Sequence, residues 1–185
     1  YYAGVDAVDF PCELKGIYQI ENQRTVVKCI EVLNTLKFSV TESHLIKGLE
    51  RVTMNTGLKG RWQQLSNTPK VICDVGHNVD GVKELVKQLK SEPCSNVKVV
   101  WGMSEDKKIK EILSLLPKTY QYFWCAADNP RSLSPNILKE CASELNLTGK
   151  AFSSVQEAYQ AAFENVDKDE MIFVGGSVFV VAEVM

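Results

Sequence analysis

Apolar and polar positions change their period part-way along the chain. In the first 55 residues the spacing is helical: Val26, Val27, Ile30, Leu33 and Leu36 mark one amphipathic helix. After the start signals of Thr41 to Ser43, Leu45, Ile46, Leu49 and Val52 mark a second. From Trp62 onward, short apolar runs read as strands at Val71 to Cys73, Val97 to Trp101, Gln121 to Ala127, Lys150 to Ser153 and Met171 to Val174. Helical patterns fill the gaps between them, led by Val82, Leu85, Val86 and Leu89, by Ile109, Ile112, Leu113 and Leu116, by Leu138, Ala142 and Leu145, and by Val155, Ala158 and Ala162. Such alternation predicts an α/β fold, a mostly parallel sheet with helices on both faces, preceded by a short helical segment. Asn55 to Gly60 has two glycines and no periodicity and reads as a linker, which divides the chain into 1–55, 56–61 and 62–185. Two helices are too few to close a core, so the first piece is expected to pack on the second or on residues outside the chain.

Composition narrows the class without naming a function. The 185 residues are 45% hydrophobic and 24% charged with a formal net charge of −2, an ordinary globular balance in which no basic stripe recommends nucleic acid. No apolar run reaches the roughly 20 residues that span a bilayer, and Tyr1 to Asp6 lack the plan of a leader peptide, so a cytoplasmic setting is expected. Cys12, Cys29, Cys73, Cys94, Cys125 and Cys141 are scattered, with no C-x-x-C, and read as buried thiols in a reducing compartment. Only His44 and His77 accompany them, which argues against a structural zinc site.

Candidate chemistry concentrates in the turn Asp74-Val75-Gly76-His77-Asn78-Val79-Asp80-Gly81, between a strand's carboxyl end and a helix that opens near Asn78. In open α/β sheets ligands bind at such turns, where N–H groups and the helix dipole favour anions. Asp74 could hold a ribose hydroxyl or a hydrated magnesium ion, and His77 could donate to a carboxylate or phosphate; equally, Asp74 could cap the turn and His77 could be satisfied by backbone carbonyls. Other polar turns follow strands in the same way. Gly102 with Asp106 and Lys107 lines a cleft or forms a capped turn, Arg131 is placed for a substrate carboxylate, and Gly175-Gly176-Ser177 offers N–H groups and a hydroxyl to a small anion or makes a tight turn. Arg61, ahead of Trp62, could stack on a purine or fork onto phosphates, or pair with the tryptophan at the surface. Asn22 could contact a nucleotide or cap a helix at Arg24.

The octapeptide Asp74 to Gly81 resembles the D-G-A-H-N-P-D-G signature of the C-terminal domain of folylpolyglutamate synthase and dihydrofolate synthase, in the Mur ligase superfamily; Val75, Gly76 and Val79 replace Gly, Ala and Pro. Other segments resemble that family in its own order: Leu14 to Asn22 resembles L-x-G-x-H-Q-x-x-N with Tyr18 for His, and Gly60-Arg61-Trp62-Gln63 resembles G-R-[FLW]-[EQ]. Gly102 to Lys108 is similar to G-x-x-x-D-K-D with Lys108 for the last Asp, Asp128 to Pro135 to the N-P-R-A-[LM] loop, and Gly175 to Glu183 to the closing [TS]-G-S-x-[YF]-x-x-[GA]-E with Phe179 where Tyr is frequent.

The resemblance implies a Rossmann-like C-terminal domain preceded by the helical tail of a central ATPase domain. It implies an ATP-dependent ligase that adds L-glutamate to dihydropteroate or folylpolyglutamate through an acyl phosphate, with ATP and Mg2+ as cofactors. By the same resemblance Asn22, Arg61 and Asp74 hold ATP, and His77, Ser177 and Arg131 hold glutamate. No G-x-x-G-K-[ST] phosphate loop occurs in the 185 residues, so the chain is expected to be a fragment, inactive alone, that works as a monomer with its own N-terminal ATPase domain, which supplies most of the magnesium site. A peptidoglycan-precursor Mur ligase, a nucleotide-binding module without chemistry, and a hydrolase built on Asp74 and His77 are the rival readings.

Overall fold

A computed structural model describes residues 10–185; the leader reading of Tyr1 to Asp6 and the start of the first segment lie outside the described residues. The chain divides into two compact units, one ending at Arg61 and one running from Trp62 to Met185.

The first unit is helical: α1 (Gln19–Thr35), α2 (Glu42–Leu49) and α3 (Val52–Thr56). α1 begins earlier than Arg24, because Gln19 N–H donates to the Gly16 carbonyl at 2.9 Å and starts the turn there. Asn22 therefore sits inside the first turn and donates to Gln19 Oε1 at 2.8 Å instead of capping. The stripe that α1 buries is Gln19, Gln23, Val27 and Ile30, while Val26, Leu33 and Leu36 are exposed. Val27 and Ile30 pack with Leu45 and Leu49 of α2. Val52 does not continue α2. The Glu13 carboxylate accepts from Thr53 N–H at 2.7 Å and from its hydroxyl, and this start of α3 breaks the expected second helix in two. Those two hydrogen bonds also hold the Glu13 carboxyl below its usual range. α3 runs through Thr56 into the expected linker and ends on Gly57, whose φ of 68° suits glycine.

In the second unit six strands form one sheet in the order β1-β2-β6-β3-β4-β5. They are β1 (Gln63–Asn67), β2 (Lys70–Cys73), β3 (Val97–Trp101), β4 (Gln121–Trp124), β5 (Gly149–Ala151) and β6 (Met171–Gly175). β1 pairs antiparallel with β2, and every other neighbouring pair is parallel. The crossovers use α4 (Val79–Ser91), α5 (Ile109–Leu113), α6 (Pro135–Glu144) and α7 (Val155–Phe163), and α8 (Val178–Ala182) follows β6. Since β2 to β3, β3 to β4 and β4 to β5 all step in one direction and β5 to β6 steps back, right-handed crossovers put α4, α5 and α6 on one face and α7 on the other. The α7 face is closed by Val155, Ala158 and Ala162 packing with Val71, Cys73, Val100, Phe123, Ile172 and Val174 and with Val180 and Val181 of α8. β3 and β6 are buried along their whole length, which is why their sequences are apolar but for Lys98 of β3, whose ammonium donates to the Glu164 and Asn165 carbonyls.

Local chemistry sets most of the boundaries. Asn78 Oδ1 accepts from Gly81 N–H at 2.7 Å and opens α4 where expected. β4 stops at Trp124 instead of Ala127, because its partner β5 is three residues long; Cys125 N–H still donates to the Trp101 carbonyl at 3.0 Å. Ser134 stands at the N-cap of α6 with Pro135 first in the helix, but its hydroxyl makes no capping bond. Ser154 Oγ accepts from Glu157 N–H, while the Glu157 carboxylate turns to Ser153, one residue further out than a capping box requires.

Candidate active site

Loops leaving the carboxyl ends of β2, β6, β3 and β4, four neighbours in the sheet, surround a cleft of about 290 Å³ lined by His77, Ser104, Asp106, Lys107, Arg131, Ser177, Val178 and Phe179. Its floor is the β2–α4 turn. The Asp74 carboxylate is 2% exposed and faces inward, with Oδ1 accepting from Gly76 N–H at 2.8 Å and Oδ2 from Trp62 N–H at 2.7 Å. The same carboxylate thus fixes the turn and holds Trp62, which enters β1 at a left-handed φ of 47°. Burial together with this neighbouring charge pushes the Cys73 thiol up to about 12, so it stays protonated beneath the site. His77 Nδ1 lies 2.9 Å from the Val75 carbonyl; as a donor there, it leaves Nε2 as the ring nitrogen for a ligand.

The second wall consists of two loops joined to each other. Leu133 N–H donates to the Met103 carbonyl at 2.8 Å and Glu105 N–H to the Arg131 carbonyl at 3.0 Å, with a bridge between Ser104 and Ser132. Asp106 and Lys107 form an ion pair at 3.0 Å, which with its hydrogen bond holds the Asp106 carboxyl below its usual range. The third wall is the β6–α8 turn. Gly176 has a φ of 89° and lies against the Gly102 carbonyl and the Trp101 ring, so that a Cβ there would meet the carbonyl oxygen at 2.5 Å. Ser177 Oγ accepts from Phe179 N–H at 3.2 Å, and the side chain of Arg131 crosses back to place its guanidinium carbon over the Phe179 ring, 5.3 Å from the centroid.

Among the residues singled out in the sequence, the fold brings His77, Arg131 and Ser177 into this one cleft, although they lie up to 100 positions apart. Asp74 lies beneath it, turned to backbone N–H groups. Asn22 and Arg61 belong to the first unit, where Arg61 donates to the Gly60 carbonyl at 3.3 Å. Ser104, 8% exposed, joins the cleft without having been singled out; its only signal is its place two residues past Gly102 at the end of β3. No three His, Cys, Asp or Glu side chains come together to hold a metal among the described residues. No helix among them is long and apolar enough to cross a membrane.

A family model described as Mur ligase, glutamate ligase domain matches residues 60–178. The chain belongs to the Mur ligase family. The glutamate ligase domain of that family accordingly covers the whole sheet and every residue of the cleft except Phe179, the next residue beyond the matched stretch. Among Mur ligase relatives, the dihydrofolate synthase/folylpolyglutamate synthase of Escherichia coli K12 is 35% identical over 130 residues, 69% of this chain and 30% of the relative. The solved structure of Escherichia coli FolC in complex with DHPP and ADP matches with a TM-score of 0.72 at 30% identity, over 84% of this chain and 36% of that one. A bifunctional folylpolyglutamate synthase/dihydrofolate synthase with Mn, AMPPNP and L-glutamate bound matches with a TM-score of 0.72 at 28% identity, over 84% of this chain and 37% of that one. The chain spans about a third of the length of these relatives.

Proposed function

We propose that the cleft is the amino-acid subsite of an ATP-dependent ligase that joins L-glutamate to dihydropteroate, to folylpoly-γ-glutamate, or to both, in folate biosynthesis. The observation that carries this reading is the convergence of His77, Arg131, Lys107 and the Ser104 and Ser177 hydroxyls, with the single carboxylate of Asp106, in a domain whose family is described by glutamate ligation. Glutamate offers two carboxylates and one amino group, and that donor-rich set with one acceptor is complementary to it.

The chemistry is activation followed by positioning. An unactivated carboxylate is a poor electrophile, and ATP supplies the phosphoryl group that converts the acceptor carboxylate to an acyl phosphate. The task of this chain is then to present the amine of glutamate. Arg131 and Lys107 hold carboxylate, His77 and Ser177 orient the backbone of the amino acid, and the zipped loops keep these groups at fixed separations. Asn22, Arg61 and Asp74 form the proposed ATP set, with Asp74 acting through the turn it holds. The divalent ion is held mainly by an N-terminal ATPase domain of the same cytoplasmic, monomeric enzyme.

Glutamate-dependent ADP release by the intact ligase that carries this chain tests the reading, with dihydropteroate, a reduced folate and a UDP-muramyl peptide precursor compared as acceptors. Turnover is expected with a pterin acceptor. Turnover with the muramyl precursor alone, or with none of the three, contradicts it.

A further inference from the structure

Arg131 reaches the cleft from a backbone fixed on both sides. Its carbonyl accepts from Glu105 N–H at 3.0 Å, its own N–H donates to Asn129 Oδ1 at 3.0 Å, and Asp128 N–H anchors the loop on the Glu183 carboxylate at 2.7 Å. The side chain is held differently. Among the described residues its guanidinium makes no hydrogen bond and no ion pair, and it lies 5.3 Å from the centroid of the Phe179 ring. That ring is itself anchored: Phe179 packs against the core cluster under α8, and its N–H is pinned to the Ser177 hydroxyl oxygen.

Those contacts have a chemical consequence. An ion pair would hold an arginine by consuming two N–H donors and cancelling its charge, whereas an aromatic ring holds it by the face of the guanidinium and leaves the in-plane donors and the full charge for a ligand. We propose that Phe179 is a positioning residue that sets the specificity of the cleft: by holding the Arg131 guanidinium over its ring, it aims the fork at the side-chain carboxylate of the incoming amino acid and makes the site prefer glutamate to its uncharged amide, glutamine. This rests on the reading of the cleft as an amino-acid subsite. The Asp106 carboxylate feels the Arg131 charge but makes no hydrogen bond or ion pair with it among the described residues, so the ring is the contact that orients the fork.

The test is an NMR titration of this chain with L-glutamate and with L-glutamine, for the native protein, F179L and F179Y, each checked for a native thermal transition. The native chain is expected to prefer glutamate. F179L keeps an apolar side chain but removes the π face, and should lose about fivefold in the glutamate-to-glutamine preference, with the larger loss falling on glutamate. F179Y, which restores the ring, should restore the preference. Retention of the preference in F179L, an equal loss of both amino acids, or an F179Y that behaves like F179L would each overturn the proposal and leave the amino-acid subsite standing. A native chain that binds neither amino acid removes the subsite reading itself and this proposal with it. Should F179L fail to fold, F179M, of similar volume and without a ring, takes its place under the same expectations.

Discussion

At Asp74 two buried hydrogen bonds meet on one carboxylate, and the turn that presents His77 depends on both. Replacing Asp74 by Ala leaves the N–H groups of Trp62 and Gly76 facing an apolar methyl. Each lost bond accepted by a charged oxygen contributes about 1.5–3 kcal/mol, so the variant, which loses two, is expected to lose about 3–6 kcal/mol in urea unfolding. A loss under about 1 kcal/mol would mean that the carboxylate is not what holds the turn. The same geometry separates two kinds of residue that look alike in the sequence. Arg131 and Lys107 put charge into the cleft, whereas Asp74 spends its charge on the backbone below it. Function at Asp74 is therefore inseparable from folding, and its replacement should affect every ligand of the domain.

Among the elements, the β6–α8 turn is the tightest joint of the site. With a φ of 89° and the Gly102 carbonyl at 2.5 Å from a would-be Cβ, Gly176→Ala is expected to cost more than about 2 kcal/mol of stability. A variant as stable as the parent by denaturant unfolding would show that the turn and the β3 loop part easily. Most helices and strands of the second unit are legible because they have a local signature: the largely apolar runs of β3 and β6, the Asn78 cap, and Pro135 opening α6. Two of the misreadings come from contacts made far along the chain: Glu13 starts α3 from 40 positions away and cuts the expected second helix, and the short β5 ends β4 early. β1 is different, for its polar sequence lacks the apolar run of a strand and it pairs with the adjoining β2 in an antiparallel hairpin. In the site, His77, Arg131 and Ser177 are each visible at a strand end, whereas Ser104 and the stack of Arg131 on Phe179 appear only once the loops are brought together, for no spacing in the sequence encodes a contact across 48 residues.

On the scale of the whole molecule, every residue lining the cleft lies in the unit from Trp62 to Met185, which has its own sheet and core. The proposed amino-acid subsite thus draws on residues of this unit, while the phosphoryl chemistry proposed for the ligase belongs to a protein about three times as long, like the relatives. The most direct measurement is a map of backbone amide shifts in this chain as L-glutamate is added at millimolar concentration. The account predicts shifts clustered at His77, Ser104, Lys107, Arg131, Ser177 and Phe179, the four loops at the carboxyl ends of β2, β3, β4 and β6. Silence at these amides, or shifts confined to another surface such as the outer face of α6, would contradict it.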